Sequence, residues 1–192
     1  MDRQQQQQHQ HDTVVLVPPI SRTHAARIFS SWYGRLHATA DAIADALGHN
    51  AFFCACMGRL CKSSGVSPVD VVQMLPAASA ADDETSPSSS SPSSSTAAAA
   101  AAARGVMTTL LSHCDRVHSS SSSAFAVMCL LHPYNIPVAV VERTLCIKAK
   151  IETLPPIAQA VAAMVSVGLV TRCDDGKLSV PSIFVESALA SS

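Results

Sequence analysis

The chain has 192 residues, 48 % of them hydrophobic and 14 % charged, with 13 basic against 14 acidic side chains for a net charge of −1. That composition suits packed helices and leaves no excess of positive charge to neutralise phosphates, so weak nonspecific nucleic-acid affinity is expected. Aromatics are only 4 % and much of the apolar content is alanine, so a few segments rich in Leu, Val, Ile, Met and Phe must supply the core, at on the order of 1.5–3 kcal/mol per buried side chain.

Residues 1–12 form a Gln/His tract expected to be disordered. Thr13–Val17 is a short β-branched run stopped by Pro18-Pro19, the signature of a buried strand with no evident partner nearby. Ser21 then precedes a helix over Arg22–Trp32, with Ala25, Ile28, Phe29 and Trp32 at helical spacing. A second helix is predicted over Leu36–Leu47, ended by Gly48, and a third over Ala51–Lys62 with Phe53, Met57, Leu60 and Cys61 on one face. The fourth has the clearest start: Ser67 as cap, Pro68 at the first helical position and Asp70 in the first turn.

Ala77–Thr96 reads as a Ser/Pro-rich spacer, in which Ser86-Pro87 and Ser91-Pro92 offer phosphorylation sites less readily than they offer plain hydrophilic linker. The alanine run Ala97–Arg104 has high helix propensity and is expected to run into a helix through Val117. Ser119–Ser123 looks like an inserted loop. Beyond it come an apolar helix over Ala124–Leu131, a helix after Asn135-Ile136-Pro137 with Val138, Val141 and Leu145 inward, and a third over Ile157–Val167 ended by Gly168. Leu169–Cys173 and Lys177–Val180 bracket Asp174-Asp175-Gly176, a hairpin signal, and a last helix follows from Pro181. The fold class is therefore mainly α: a helical bundle segment over 13–76, a low-complexity linker over 77–104, and a winged-helix-like domain with a small β-hairpin over 105–190.

Seven cysteines, mostly within apolar helical patterns, together with an N-terminus lacking an apolar leader segment, point to buried free thiols in a reducing compartment, the cytoplasm first and the nucleus second. The longest apolar stretch, Ile157–Val170, falls short of the roughly 20 residues that span a bilayer. Cys54, Cys56 and Cys61 are expected to be buried structural cysteines in preference to a metal site, because positions two apart on a helix point to different faces and no CxxC pair is present. Cys114 beside His113 or His118 would suit a thiol enzyme only with a third orienting group, for which the sequence offers no signature. Six basic and six acidic residues cancel over 105–192, with Asp174 and Asp175 at the wing tip, which disfavours a DNA-binding winged helix.

Two blocks, AVMCLLHPYNIPVAVVERTL and LPPIAQAVAAMVSVGLVTRCDDGKLSV, resemble the winged-helix region of NB-ARC-type STAND signalling ATPases. VVLVPPISRTHAARIF is similar to the last strand of that family's nucleotide-binding domain and the helix after it, and DALGHNAFFCACMGRLCKSSGVSPVDVVQML to its helical ARC segment. The resemblance implies a lid whose closure over a nucleotide domain depends on bound ADP or ATP. Of three positions that align with the family's nucleotide contacts, the first keeps its residue and the other two depart from the pattern. Gly48 opens the stretch where the family has its glycine-leucine-proline motif, Asn50 stands at the proline, and Pro181 stands where many members carry a phosphate-contacting histidine. No G-x-x-x-x-G-K-[ST] loop occurs in this sequence. The reading that follows is a non-catalytic regulatory module with no catalytic, metal or cofactor residues of its own. Its expected partner is a protein or a nucleotide-binding domain outside this sequence, and neither membrane nor nucleic acid is expected. A winged-helix nucleic-acid adaptor and, more weakly, a thiol-dependent enzyme are the alternatives.

Overall fold

The computed structural model describes residues 20–75, 93–131, 133–149 and 157–190. The Gln/His tract, the Thr13–Val17 strand and both Ser-Pro pairs lie outside the described residues. Among those described, four helices come first: α1 Arg22–Tyr33, α2 Ala40–Ala46, α3 Ala51–Ser64 and α4 Pro68–Met74. They are followed by α5 Ser93–Val117, α6 Ser121–Leu130, α7 Val138–Ala149 and α8 Ala158–Val167, then by β1 Thr171–Arg172, β2 Leu178–Ser179 and α9 Ser182–Leu189. The protein is thus mainly helical with one small antiparallel hairpin, as its composition and periodicity predict. No helix among the described residues is long and apolar enough to cross a membrane.

Local chemistry accounts for most of the boundaries. Ser21 Oγ accepts the His24 N–H at the start of α1, and Ser67 Oγ accepts the Val69 N–H ahead of Pro68 at the start of α4. The second helix starts later than its pattern suggests: the His37 ring takes the Thr39 N–H and hydroxyl, forming a turn that holds the chain out of the helix until Ala40. Leu36, outside that turn, is 87 % exposed. The expected loop at Ser119–Ser123 is instead a helix start. Asp115, at the end of α5, accepts the Ser122 N–H at 2.9 Å and also its hydroxyl. The fully buried Ser121 hydroxyl lies 2.7 Å from the His118 carbonyl and 3.1 Å from that of Cys114. Serine here caps and staples a tight helix–helix corner. Helix α5 begins at Ser93, inside the 77–104 stretch counted as linker and ahead of the Ala97–Arg104 run whose propensity predicts helix, and Ala103 is buried against the core.

The order α6, α7, α8, hairpin is that of a winged helix, completed by a pairing that periodicity did not reveal. Ile136 N–H donates to the Leu178 carbonyl and Leu178 N–H returns the bond, so the Pro133–Ile136 connection lies beside β2 as a third, minimal strand. Val141, Leu145, Val161, Met164 and Leu169 are buried as their spacing predicts, with Leu131 half-buried.

The core does not stop at the division between the two halves of the sequence. One continuous cluster of buried side chains runs through both, with α3 packed on α1 at one side and on α8 and α5 at the other. Two glycines make this possible. A Cβ on Gly58 would stand 2.6 Å from the Phe29 carbonyl oxygen and 2.8 Å from Trp32 Cβ, so α1 and α3 cross at backbone contact. Gly168, left-handed at φ 84 at the end of α8, would bring a Cβ to 3.1 Å from Cys56 Sγ and 3.2 Å from an Arg59 guanidinium nitrogen. Arg59 itself lies over the Trp32 ring at 3.9 Å and near the carbonyl end of α8, where a cation is favoured.

Truncating Leu145 to alanine is expected to cost about 2–5 kcal/mol, while Arg143→Ala on the exposed face of α7 should change stability by less than about 0.5 kcal/mol. Gly58→Ala should destabilise by about 1–3 kcal/mol although alanine is the better helix former, because the crossing has no room for a methyl. Urea unfolding of the three variants checks both statements. Equal losses for Leu145→Ala and Arg143→Ala, or a stabilised Gly58→Ala, would contradict the packing described.

Candidate functional site

The chain enters α3 through Gly48 and His49, two consecutive residues in the left-handed region at φ 58 and 57. His49, whose side chain disfavours that conformation, is held there by its N–H on the Ala44 carbonyl at 2.9 Å and its ring Nε2 on Asp45 Oδ1 at 3.1 Å. Asp45 also pairs with Arg22 at 2.8 Å, tying α2 to the start of α1 at the surface. Asn50 is the N-cap of α3, its Oδ1 accepting the Phe53 N–H at 3.1 Å. The carboxamide therefore serves the helix it precedes.

Pro181 occupies the equivalent place before α9. Its carbonyl accepts the Phe184 N–H at 2.9 Å, while its ring supplies neither donor nor acceptor, and no side chain caps this helix. The two helix starts are brought together by aromatic packing. Phe184, fully buried in the first turn of α9, lies 5.4 Å from the Phe52 ring and 6.2 Å from that of Phe53, both in the first turn of α3. The positive ends of two helix dipoles thus converge beside one aromatic cluster. Gly48 and Asn50 lie at one start and Pro181 at the other, so elements about 130 positions apart in sequence share this corner. Phe52 and Phe184 were not singled out from sequence. Their phenylalanine identity was the available signal, but only tertiary packing pairs them.

The thiols are placed as packing groups. Burial pushes Cys54 and Cys114 up to about 12 and Cys61 and Cys129 up to about 11. Cys56 is also pushed up to about 12 by burial, against a smaller opposing pull from Arg59, and its Sγ lies 3.9 Å from the Gly168 carbonyl. At neutral pH these groups are thiols, with little of the thiolate that nucleophilic or metal chemistry needs. His118, one of the two histidines near Cys114, places its Nδ1 on the Ser120 N–H at 3.3 Å within the α5–α6 corner. No group of three His, Cys, Asp or Glu side chains suited to a metal ion is found among the described residues.

Helix α8 holds the place of the groove-reading helix in a DNA-binding winged helix. Its sequence, AQAVAAMVSV, has no charged residue, and it is packed against α3, α5 and α6. At the wing, Asp175 and Lys177 pair at 2.8 Å, which holds the carboxyl below and the ammonium above their ordinary values. The concentrated positive charge lies elsewhere: from Ile20 to Ala40 there are three arginines and no acidic residue.

Iodoacetamide at neutral pH should label the half-buried Cys146 and Cys173 in the native protein, and the five buried cysteines only after unfolding. Mass spectrometry of a labelling time course reads this directly; rapid native labelling of Cys54, Cys56 or Cys114 would contradict the placement.

Comparison of the chain with models of protein families, with curated proteins and with solved structures finds no match.

Proposed function

We propose that the chain is a non-catalytic regulatory module, built like the ARC segment and winged-helix lid of a STAND-type switch and working through protein contacts. The observation that carries this reading is the corner where α3 and α9 begin. The family's proline-bearing motif and its post-wing histidine belong to these two helix starts, and Phe52, Phe53 and Phe184 hold the starts together. A nucleotide-sensing lid needs that juxtaposition. The side chains of both family contacts are replaced: Asn50, at the motif's proline, caps its own helix, and Pro181, at the phosphate-contacting histidine, has no polar group to offer. ADP or ATP is the ligand of the complete family, but none is expected to be held by this chain alone. A lid shifts a switch only by contacting its two states differently. With no sensing side chain, those contacts belong to the packing surface, and the partner is a protein or a nucleotide-binding domain outside this sequence.

The alternatives receive less support. An uncharged α8 and a wing whose Lys177 is already paired leave little to meet phosphates in a DNA groove. Buried, protonated thiols suit packing better than nucleophilic catalysis.

Calorimetric titration of the chain with ADP and with Mg-ATP should show no binding tighter than about millimolar, roughly −4 kcal/mol, and no hydrolysis. Micromolar affinity for either nucleotide would overturn the proposal. A salt-dependent mobility shift with duplex DNA at submicromolar protein would instead favour the nucleic-acid reading.

A further inference from the structure

Helix α5 carries a polar stripe where α3 and α4 end. Thr108, Ser112 and Arg116 recur every fourth residue, and His113 stands in the neighbouring row, so donors line about 12 Å of one helix face. Opposite them are apolar groups, Leu60 near the end of α3, Val66 in the following turn and Met74 at the end of α4. Between the two walls is a cleft of about 270 Å³. That is just below the range that takes drug-sized ligands, so its occupant is small.

The charges in the cleft have one sign. Arg116 has no ion pair among the described residues, and the side chains of Thr108, Ser112 and His113 have no hydrogen-bond partner among them. Asp115, the acidic residue beside Arg116 in sequence, is turned to the other side of α5, where it caps α6 through Ser122. Burial and the nearby Arg116 both lower the His113 pKa, so its ring is neutral at physiological pH and offers one N–H and one bare nitrogen. A free guanidinium and hydroxyls on one wall, with a hydrocarbon wall facing them, match an anion attached to an apolar body.

We propose that this cleft binds a small amphipathic carboxylate, its head on Arg116 and the Ser112 hydroxyl and its apolar body on Leu60, Val66 and Met74. A planar guanidinium meets a carboxylate with two parallel hydrogen bonds, which gives the head group its place. The test uses hexanoate and its neutral analogue hexanamide, titrated into the full chain and followed by amide chemical shifts. Hexanoate should give saturable shifts confined to residues 108–116 and to Leu60, Val66 and Met74, and should bind about tenfold more tightly than hexanamide. In Arg116→Ala, whose exposed side chain contributes little to folding, that preference should vanish while weak binding of both compounds remains. Thr108→Trp, which fills the cleft from its exposed rim, should abolish both. Equal affinity for acid and amide, a preference that survives Arg116→Ala, shifts centred elsewhere, or no saturation by about 20 mM would each overturn the proposal.

Discussion

The arrangement depends on how closely α3 is gripped from both sides. Gly58 admits the backbone of α1 to contact distance, and Gly168 turns the end of α8 onto Cys56 and Arg59 without a side chain in the way. Arg59 fills the remaining space, with the Trp32 ring against its guanidinium and the C-terminus of α8 at its tip. Its Nε is buried without a hydrogen-bond partner among the described residues, so the π face and the helix dipole offset part of the cost of that burial. A Cβ at Gly58 would force α1 and α3 apart. That constraint turns a helical segment and a winged helix into one packed body.

The corner of α3 and α9 follows from the same grip. With α3 fixed against α8, its first turn faces the start of the helix after the wing, and three phenylalanines close the gap. Dispersion and area burial therefore set the geometry of a place where two helix dipoles meet. The polar groups nearby are engaged locally, Asn50 in its cap and His49 with Asp45. A scaffold of this kind can present a surface in a defined orientation.

Much of the fold was legible because its signals are local. Ser21, Ser67-Pro68, Gly168 and Asp174-Asp175-Gly176 mark ends and turns through the backbone conformation and hydrogen bonds of their own neighbourhood, and the structure places each where expected. The misreadings share a different cause. The serines at 119–123 look like solvated loop by composition, yet their role depends on a carbonyl and a carboxylate seven residues upstream. The start of α5 at Ser93 lies among serines that read as spacer, and α2 lost its first residues to a histidine ring bond that no propensity scale contains. Of the candidate site, Gly48, Asn50 and Pro181 were visible as positions, and the capping role of Asn50 was open to recognition from its residue type. The Phe52–Phe184 contact was not, since nothing local links two phenylalanines on helices so far apart in sequence. The polar stripe of α5 likewise shows in sequence only as an ordinary amphipathic face; the floor that makes it a cleft comes from α3 and α4.

The central claim is that α3 joins the helical and winged portions into one cooperative unit, and scanning calorimetry of the full chain tests it most directly. The account predicts a single transition whose calorimetric enthalpy equals its van't Hoff enthalpy. Two separable transitions, or a calorimetric enthalpy well above the van't Hoff value, would show that the two portions unfold independently and would contradict it.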